Sequence, residues 1–421
     1  MRLPTEPPAG PTDPTSWHSP LRGRWLTSML GLLLLGAIVV VAGTGLLSHE
    51  AYAPDLGRNA IVPAEDDLDL LPGDWPAGWP WLYAVTQGLH VTVGIAMVPL
   101  LLAKLWSVFP RLFTWPPVRG PWHLLERLSL LLLVGGAFFQ LATGIANVQL
   151  WYPFGFNFVV AHYFGAWVLL SALVLHVALK APEVRRAARE RGVLRPLIDD
   201  LRADGTNAEP PEPGGLSAPV PEPPTLTRRG LLGVVGAASG GLVVVTAGQS
   251  VGGPLRELAV LAPRGRDLGF PVNKTAAAAR VTPAMVGAAW RLEVTGGRTL
   301  SLSRAELLAM ELATHDLPIA CVEGWSSTQT WTGVRLADLA ELAGAADDHV
   351  VRVSSLQPGG VLREATLTPG EVRDHRSLLA LRVAGADLPL DHGFPARIVV
   401  PGLPGVHCTK WVGSLAFGAR S

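Results

Sequence analysis

The chain has 421 residues, 49 % of them hydrophobic and 16 % charged, and its 34 basic and 34 acidic side chains give a formal net charge of zero. A neutral chain has no bulk attraction for nucleic acid, and two cysteines, Cys321 and Cys408, exclude a disulfide-rich module or a zinc ribbon. The length has room for two or three domains, and the apolar excess sits in roughly the first 250 residues, so a membrane part followed by a soluble part is expected.

Residues 1–20 are polar and Pro-rich and read as a disordered cytoplasmic tail. Four apolar runs follow, at 25–47, 81–106, 124–150 and 156–179, each long enough for a helix to cross a bilayer core, which takes about 20 residues. They place a four-helix membrane domain at 21–180. Buried core helices are the alternative, and four runs of this length weigh against them. A fifth run at 230–251 is glycine-rich and gives a fifth span within 227–252.

Basic residues set the orientation. Arg22 and Arg24 precede the first run, Lys104, Arg111 and Arg119 lie between the second and third, and Lys180, Arg185, Arg186, Arg189, Arg191 and Arg195 follow the fourth. The loop after the first run is acidic: Glu50, Asp55, Glu65, Asp66, Asp67, Asp69 and Asp74. Lys and Arg stay in the cytoplasm, so the N-terminus is inside, 181–226 is a cytoplasmic linker and 253–421 lies outside. The expected location is a bacterial cytoplasmic membrane, crossed several times. Thr227-Arg228-Arg229-Gly230-Leu231-Leu232 resembles a twin-arginine export motif; an ordinary basic pair before a helix is the other reading.

Ionisable side chains inside a span are functional candidates by default. His90 falls in the second run, and His162 and His176 in the fourth. Fourteen residues separate the last two, nearly four whole turns, so both face one side about 21 Å apart. Such a pair suits imidazole ligation of two haems, and helix-packing histidines are the alternative. With Thr44-Gly45 and Thr143-Gly144, these residues make the four spans resemble the cytochrome b family of formate dehydrogenases and nickel–iron hydrogenases. The resemblance implies one or two b haems, the outer one held by His90 and His162. The inner ligand opposite His176 is not where the family has it; His18 and His123 lie on that side.

Residues 253–421 alternate strand-like runs (291–294, 350–353, 378–383, 396–400) with one clear helix at 303–312, so an α+β domain is expected. Cys321-Val322-Glu323-Gly324-Trp325, Trp331-Thr332-Gly333-Val334 and Leu336-Ala337-Asp338-Leu339 precede Asp391-His392-Gly393-Phe394-Pro395-Ala396-Arg397, Pro401-Gly402 and Thr409-Lys410-Trp411-Val412. Together they resemble the molybdopterin-binding domain of the sulfite oxidase family. The Cys-Val-Glu-x-Trp form is similar to the bacterial periplasmic methionine sulfoxide reductase branch, and the Ala-Gly-Asn-Arg that follows the cysteine in plant and animal sulfite oxidases is absent. The resemblance implies Cys321 as the molybdenum ligand, with Asn273, Ser355, His392, Arg397 and Lys410 holding the pterin and its phosphate and Glu323 reaching the substrate side. A thiolate suits molybdenum, and a guanidinium fork suits phosphate. Other readings make Cys321 a buried thiol or a disulfide partner of Cys408, His392 and Arg397 a surface pair, and Trp325 and Trp331 core residues.

The expected architecture is multi-domain, an all-α transmembrane helical bundle followed by an α+β sulfite-oxidase-like molybdopterin domain. The function implied is oxygen-atom transfer at an extracytoplasmic molybdenum–molybdopterin site, coupled through b-type haem to a quinone pool or a redox protein partner. A small molecule is the substrate, the lipid bilayer a partner and nucleic acid none. The rival is a haem-free membrane anchor carrying a non-catalytic binding module.

Overall fold

The computed structural model describes residues 10–52, 75–76, 78–202, 206–210, 216–262, 270–360 and 362–419. Asp55, Glu65, Asp66, Asp67, Asp69 and Asp74 of the acidic loop lie outside the described residues, as do 1–9 of the tail and parts of the linker.

Among the described residues five helical stretches are long and apolar enough to cross a membrane. They are Arg24–Glu50 (α1), Leu82–Leu112, Pro121–Val148 (α4), Phe158–Arg191 (α5) and Arg228–Val251 (α7). The second consists of α2 (Leu82–Ala96) and α3 (Val98–Leu112), interrupted at Met97 because Pro99 has no N–H to continue the ladder. All five match the apolar runs of the sequence. The chain divides into two compact units: Met1–Ala42, Thr92–Asn147 and Trp151–Val243 form the first, and Gly43–Val91, Val148–Leu150 and Val244–Ser421 the second.

In the first unit, Trp25, Leu26 and Leu30 of α1 are fully buried around Ala103 of α3. Asn157 caps α5 by accepting from the N–H groups of Val159 and Val160. Within the expected linker, α6 (Arg195–Arg202) follows α5 closely. Its Asp200 accepts from the backbone N–H of Arg228 at 3.1 Å and pairs with the Arg228 guanidinium at 3.4 Å, both side chains buried. Glu209, also buried, accepts from the N–H groups of Arg24 and Trp25. Two linker carboxylates thus satisfy the orphan donors at two helix N-termini, where the helix dipole favours negative charge. Of the arginine pair, Arg228 is engaged in this way and Arg229 is exposed.

In the second unit, two five-stranded sheets build an α+β domain. One runs β2 (Thr299–Ser303), β1 (Arg291–Thr295), β10 (Val412–Gly418), β5 (Val350–Ser355), β6 (Glu364–Leu367). The other runs β3 (Ala313–Ala320), β4 (Ser326–Arg335), β7 (Leu378–Val383), β8 (Ala386–Asp387), with β9 (Arg397–Val399) also on β7. Only β1 and β10 pair in parallel among these ladders of described residues. β1 buries Leu292 and Val294 and exposes Arg291 and Glu293, the period of two of a half-buried strand. β7 is central and buried on both faces. Short helices α8 (Ala276–Ala279), α9 (Arg304–Ala309), α10 (Leu336–Leu342) and α11 (Pro369–Arg373) alternate with the strands along the chain. The helix expected at 303–312 is α9. Ser303 and Glu306 form a capping box at its start, and it stops at Met310, whose backbone turns extended before β3.

Candidate active site

β3 and β4 are neighbours in the sheet, so residues 321–325 must reverse the chain between them. Cys321 N–H donates to Trp325 O and Gly324 N–H to Cys321 O, both at 2.9 Å. Gly324 has φ +91° and presses on Val91, which a Cβ would meet at 2.9 Å, so glycine is required twice over. Cys321 is half-buried, and neither cysteine is in a disulfide. Its neighbours in the apolar cluster include Phe270, Phe394 and the buried Cys408, whose thiol burial pushes up. Trp325 and Trp331 are core residues: the Trp331 indole donates to Leu317 O at 3.1 Å, and that of Trp325 to the buried Glu323 carboxylate at 3.0 Å.

His392, Arg397, Thr409 and Lys410 come together on neighbouring segments. β7 holds β9, which starts at Arg397, and Ile398 N–H donates to Thr409 O. Lys410 Nζ donates to Lys274 O at 2.9 Å and to Asp391 O at 2.8 Å, which ties the 273–275 segment to the 390–392 turn. Asn273 accepts from the N–H of Lys274, whose Nζ reaches Gln357 Oε1 at 2.6 Å. Ser355 Oγ donates to Lys410 O at 2.7 Å. The His392 ring stacks on Phe270, centroids 3.9 Å apart, and the Arg397 guanidinium lies 5.6 Å from the Phe270 ring and 5.5 Å from that of Trp331. All five residues expected around the pterin therefore belong to one connected group with Lys274, Gln357 and Phe270, and His392 and Arg397 are buried rather than a surface pair.

The electrostatics of this group are unbalanced. Arg397 is fully buried, and no salt bridge joins it to a carboxylate among the described residues. Burial drives its pKa down from 12.5 to about 10. Burial first, then Arg397 and Lys410, hold His392 down to about 4, hence neutral. Three buried polar atoms here have no hydrogen-bond partner among the described residues: His392 Nδ1, Arg397 Nε and Thr409 Oγ1. Buried donors without acceptors cost about 1–3 kcal/mol each, and native proteins keep few. A buried cationic cluster with unmet donors suits an anionic group rich in acceptors.

Sequence reasoning missed Phe270, and it missed Tyr52, Tyr83 and Gln87, which lie beside the Cys321 turn. Tyr83 Oη donates to Tyr52 Oη at 3.4 Å, and burial, then the charge of Cys321, holds the Tyr52 hydroxyl well above its ordinary range. Gln87 was detectable as a lone amide in an apolar helix. His90 and His162 each face a glycine. A Cβ on Gly45 would meet the His90 ring at 2.6 Å, and one on Gly144 the His162 ring at 3.3 Å. Thr143 Oγ1 donates to Phe139 O at 2.7 Å and lies 2.9 Å from His162 Nδ1. With the hydroxyl proton directed to Phe139 O, the Nδ1–H tautomer of His162 would donate to Thr143 and leave Nε2 with its lone pair. His176 is half-buried on α5.

Fold and site together define an α+β domain with one half-buried thiol packed on the apolar cluster whose Phe270 also carries His392 and Arg397. Residues 279–421 match the family model of the oxidoreductase molybdopterin binding domain. The chain is similar to sulfite oxidase of Gallus gallus, 33 % identical over 165 residues, which are 32 % of this chain and 36 % of that one. It is similar to an uncharacterized oxidoreductase, YuiH, of Bacillus subtilis, 31 % identical over 131 residues, 30 % of this chain and 65 % of the other. A solved structure, the sulfane dehydrogenase SoxCD from Paracoccus pantotrophus, matches at 23 % identity and a TM-score of 0.30, over 32 % of this chain and 39 % of that one. The chain thus spans about a third of the chicken enzyme, and 18 % of human mitochondrial sulfite oxidase. Residues 279–421 are thus similar to an oxidoreductase molybdopterin-binding domain.

Proposed function

We propose that the chain is a membrane-bound oxidoreductase that transfers an oxygen atom at Cys321 on the extracytoplasmic side and exchanges electrons through b-type haem in its helices. The observation that carries this reading is the set of His392 Nδ1, Arg397 Nε and Thr409 Oγ1, buried polar atoms without partners among the described residues, where His392 and Arg397 lie against Phe270 of the apolar cluster that also receives Cys321. Molybdenum–molybdopterin, when bound, supplies a centre that passes one oxygen atom and two electrons. Cys321 would be its protein thiolate, a soft donor matched to that metal. Arg397 and Lys410 would face the anionic tail, and Asn273 and Ser355 fix the segments that carry them. The neutral His392 offers a nitrogen without adding charge. Glu323, held by the Trp325 indole, shapes the turn on the substrate side.

The Cys-Val-Glu-x-Trp turn favours a sulfoxide-type substrate reduced to a thioether, with a small anion oxidised as the second choice. His162, with Nδ1 turned to Thr143, and His90, seated over Gly45, fit axial haem ligation, because an imidazole held through one nitrogen presents the other to iron. His176 would serve a second haem. The basic loops support an outside location for the C-terminal domain, and a quinone pool or a redox protein would supply or take the electrons. The purified full chain should contain molybdenum and show a b-type Soret band. A protein with neither would be a haem-free anchor with a binding module.

A further inference from the structure

The turn that carries Cys321 is held from outside its own sheet. Three alternate carbonyls project from it, and each is taken by a donor on or beside the apolar helices. Gln87 Nε2 of α2 donates to Val322 O at 2.6 Å. Ser250 Oγ of α7 donates to Gly324 O. Arg256, just after α7, donates to Ser326 O, and Ser326 Oγ returns a bond to Ser250 O at 2.6 Å. The apolar contact of Gly324 with Val91 falls one turn beyond Gln87 on the same helix. Every residue in this set belongs to the second compact unit.

α2 therefore presents Tyr83 and, four residues on, Gln87 to the thiol turn, while His90, three residues further along the same helix, faces Gly45 of α1. Val322 is covalently next to Cys321. From Gln87 to His90 the helix rises only about 4.5 Å. A buried amide inside an apolar span is costly unless it is needed, and Gln87 is almost wholly buried with its donor committed to one carbonyl.

We propose that α2 is the electron-transfer link between the His90 haem site and the Cys321 site, with the Gln87–Val322 hydrogen bond as its joint. The inference rests on the proposed function and adds to it a route within one folded unit, with no mobile carrier domain between the two centres. In the reducing direction a membrane quinol loses two electrons and two protons and becomes quinone. The electrons pass singly along α2. At the Cys321 site a sulfoxide accepts both electrons with two protons, its S–O bond breaks, and thioether and water leave.

The test is Gln87→Met in the full-length protein in detergent. Methionine keeps the length and loses both donors. Three quantities are read: oxidation of pre-reduced haem by substrate, followed by its absorbance; substrate turnover driven by a water-soluble dye that reduces the soluble domain directly; and amide exchange of 321–326, which needs no cofactor. Haem oxidation should slow at least about tenfold, equivalent to the loss of one hydrogen bond of coupling. Dye-driven turnover should stay within about twofold of the parent, a change too small to report lost stabilisation at the site. Exchange of the Gly324 amide should rise. Gly324→Ala, which wedges the turn off Val91, should slow haem oxidation in the same way. Unchanged haem oxidation in Gln87→Met overturns the link. An equal fall in dye-driven turnover also overturns it, since Gln87 then acts by shaping the site. Parent protein that lacks haem refutes the proposed function itself, and a parent with haem that substrate never oxidises refutes only the link.

Discussion

Replacing Arg397 by methionine separates what the guanidinium costs the fold from what it gives the cofactor. Its pKa falls from 12.5 to about 10 on burial. That fall corresponds to ~3 kcal/mol of charge held against its solvation preference. The Phe270 and Trp331 rings return part of this, ~1–2 kcal/mol for two cation–π contacts. The bond from Arg397 to His392 O is long, 3.4 Å, and adds little. Methionine fills similar volume without charge, so protein made in a host unable to synthesise the pterin should be more stable by ~1–2 kcal/mol. For a domain of this size that raises the unfolding midpoint by roughly 3–6 °C. The same variant made in a competent host should lose most of its molybdenum, because the anionic tail then lacks its charged partner. Thermal unfolding of the full chain with and without cofactor reads both effects. A lower midpoint for cofactor-free Arg397→Met would refute the claim that the guanidinium awaits an anion.

Cys321→Ser should abolish turnover while most cofactor is retained, since Arg397 and Lys410 would hold the anionic tail independently of the thiol; turnover assays with metal analysis check it. His407 is fully buried, its Nδ1 has no partner among the described residues, and burial lowers its pKa from 6.5 to about 4. The folded value lies below the unfolded one, so stability is lost as pH falls from 6.5 to 4, by up to ~3 kcal/mol. His407→Gln should flatten that acid dependence, and a titration of unfolding midpoints over this range measures it. His162→Ala should remove a haem signal from the reduced spectrum and leave the molybdenum content unchanged. A C-terminal reporter active only outside the cytoplasm is expected in cells, and activity only inside would reverse the topology.

Much of this was legible in the sequence because the signals are additive along the chain. Apolar runs gave all five long helices to within a few residues at most ends, although α5 continues to Arg191 through a charged segment that hydropathy ends at 179. β7 and β5 showed as β-branched or leucine runs. β4 did not, because Ser326, Ser327, Thr328, Gln329 and Thr330 carry no apolar alternation; pairing with β3 and β7 makes it a strand. The residues assigned to the pterin were picked out by motif order and not by spacing, since the 273–275 segment and Lys410 meet only when the chain closes. Lone polar residues inside apolar runs marked His90 and His162, and the same rule applied to Gln87 would have marked the contact with the thiol turn. Tyr52 and Phe270 gave no signal, for their roles come from neighbours distant in the chain.

The claim that Cys321 supplies the protein thiolate of a molybdenum centre is tested most directly by X-ray absorption at the molybdenum edge. The full-length protein and Cys321→Ser would be purified from the same host and compared. The metal should lose one sulfur neighbour in the variant and keep its pterin sulfurs. Identical sulfur coordination in the two proteins, or a parent protein without molybdenum, would contradict the assignment.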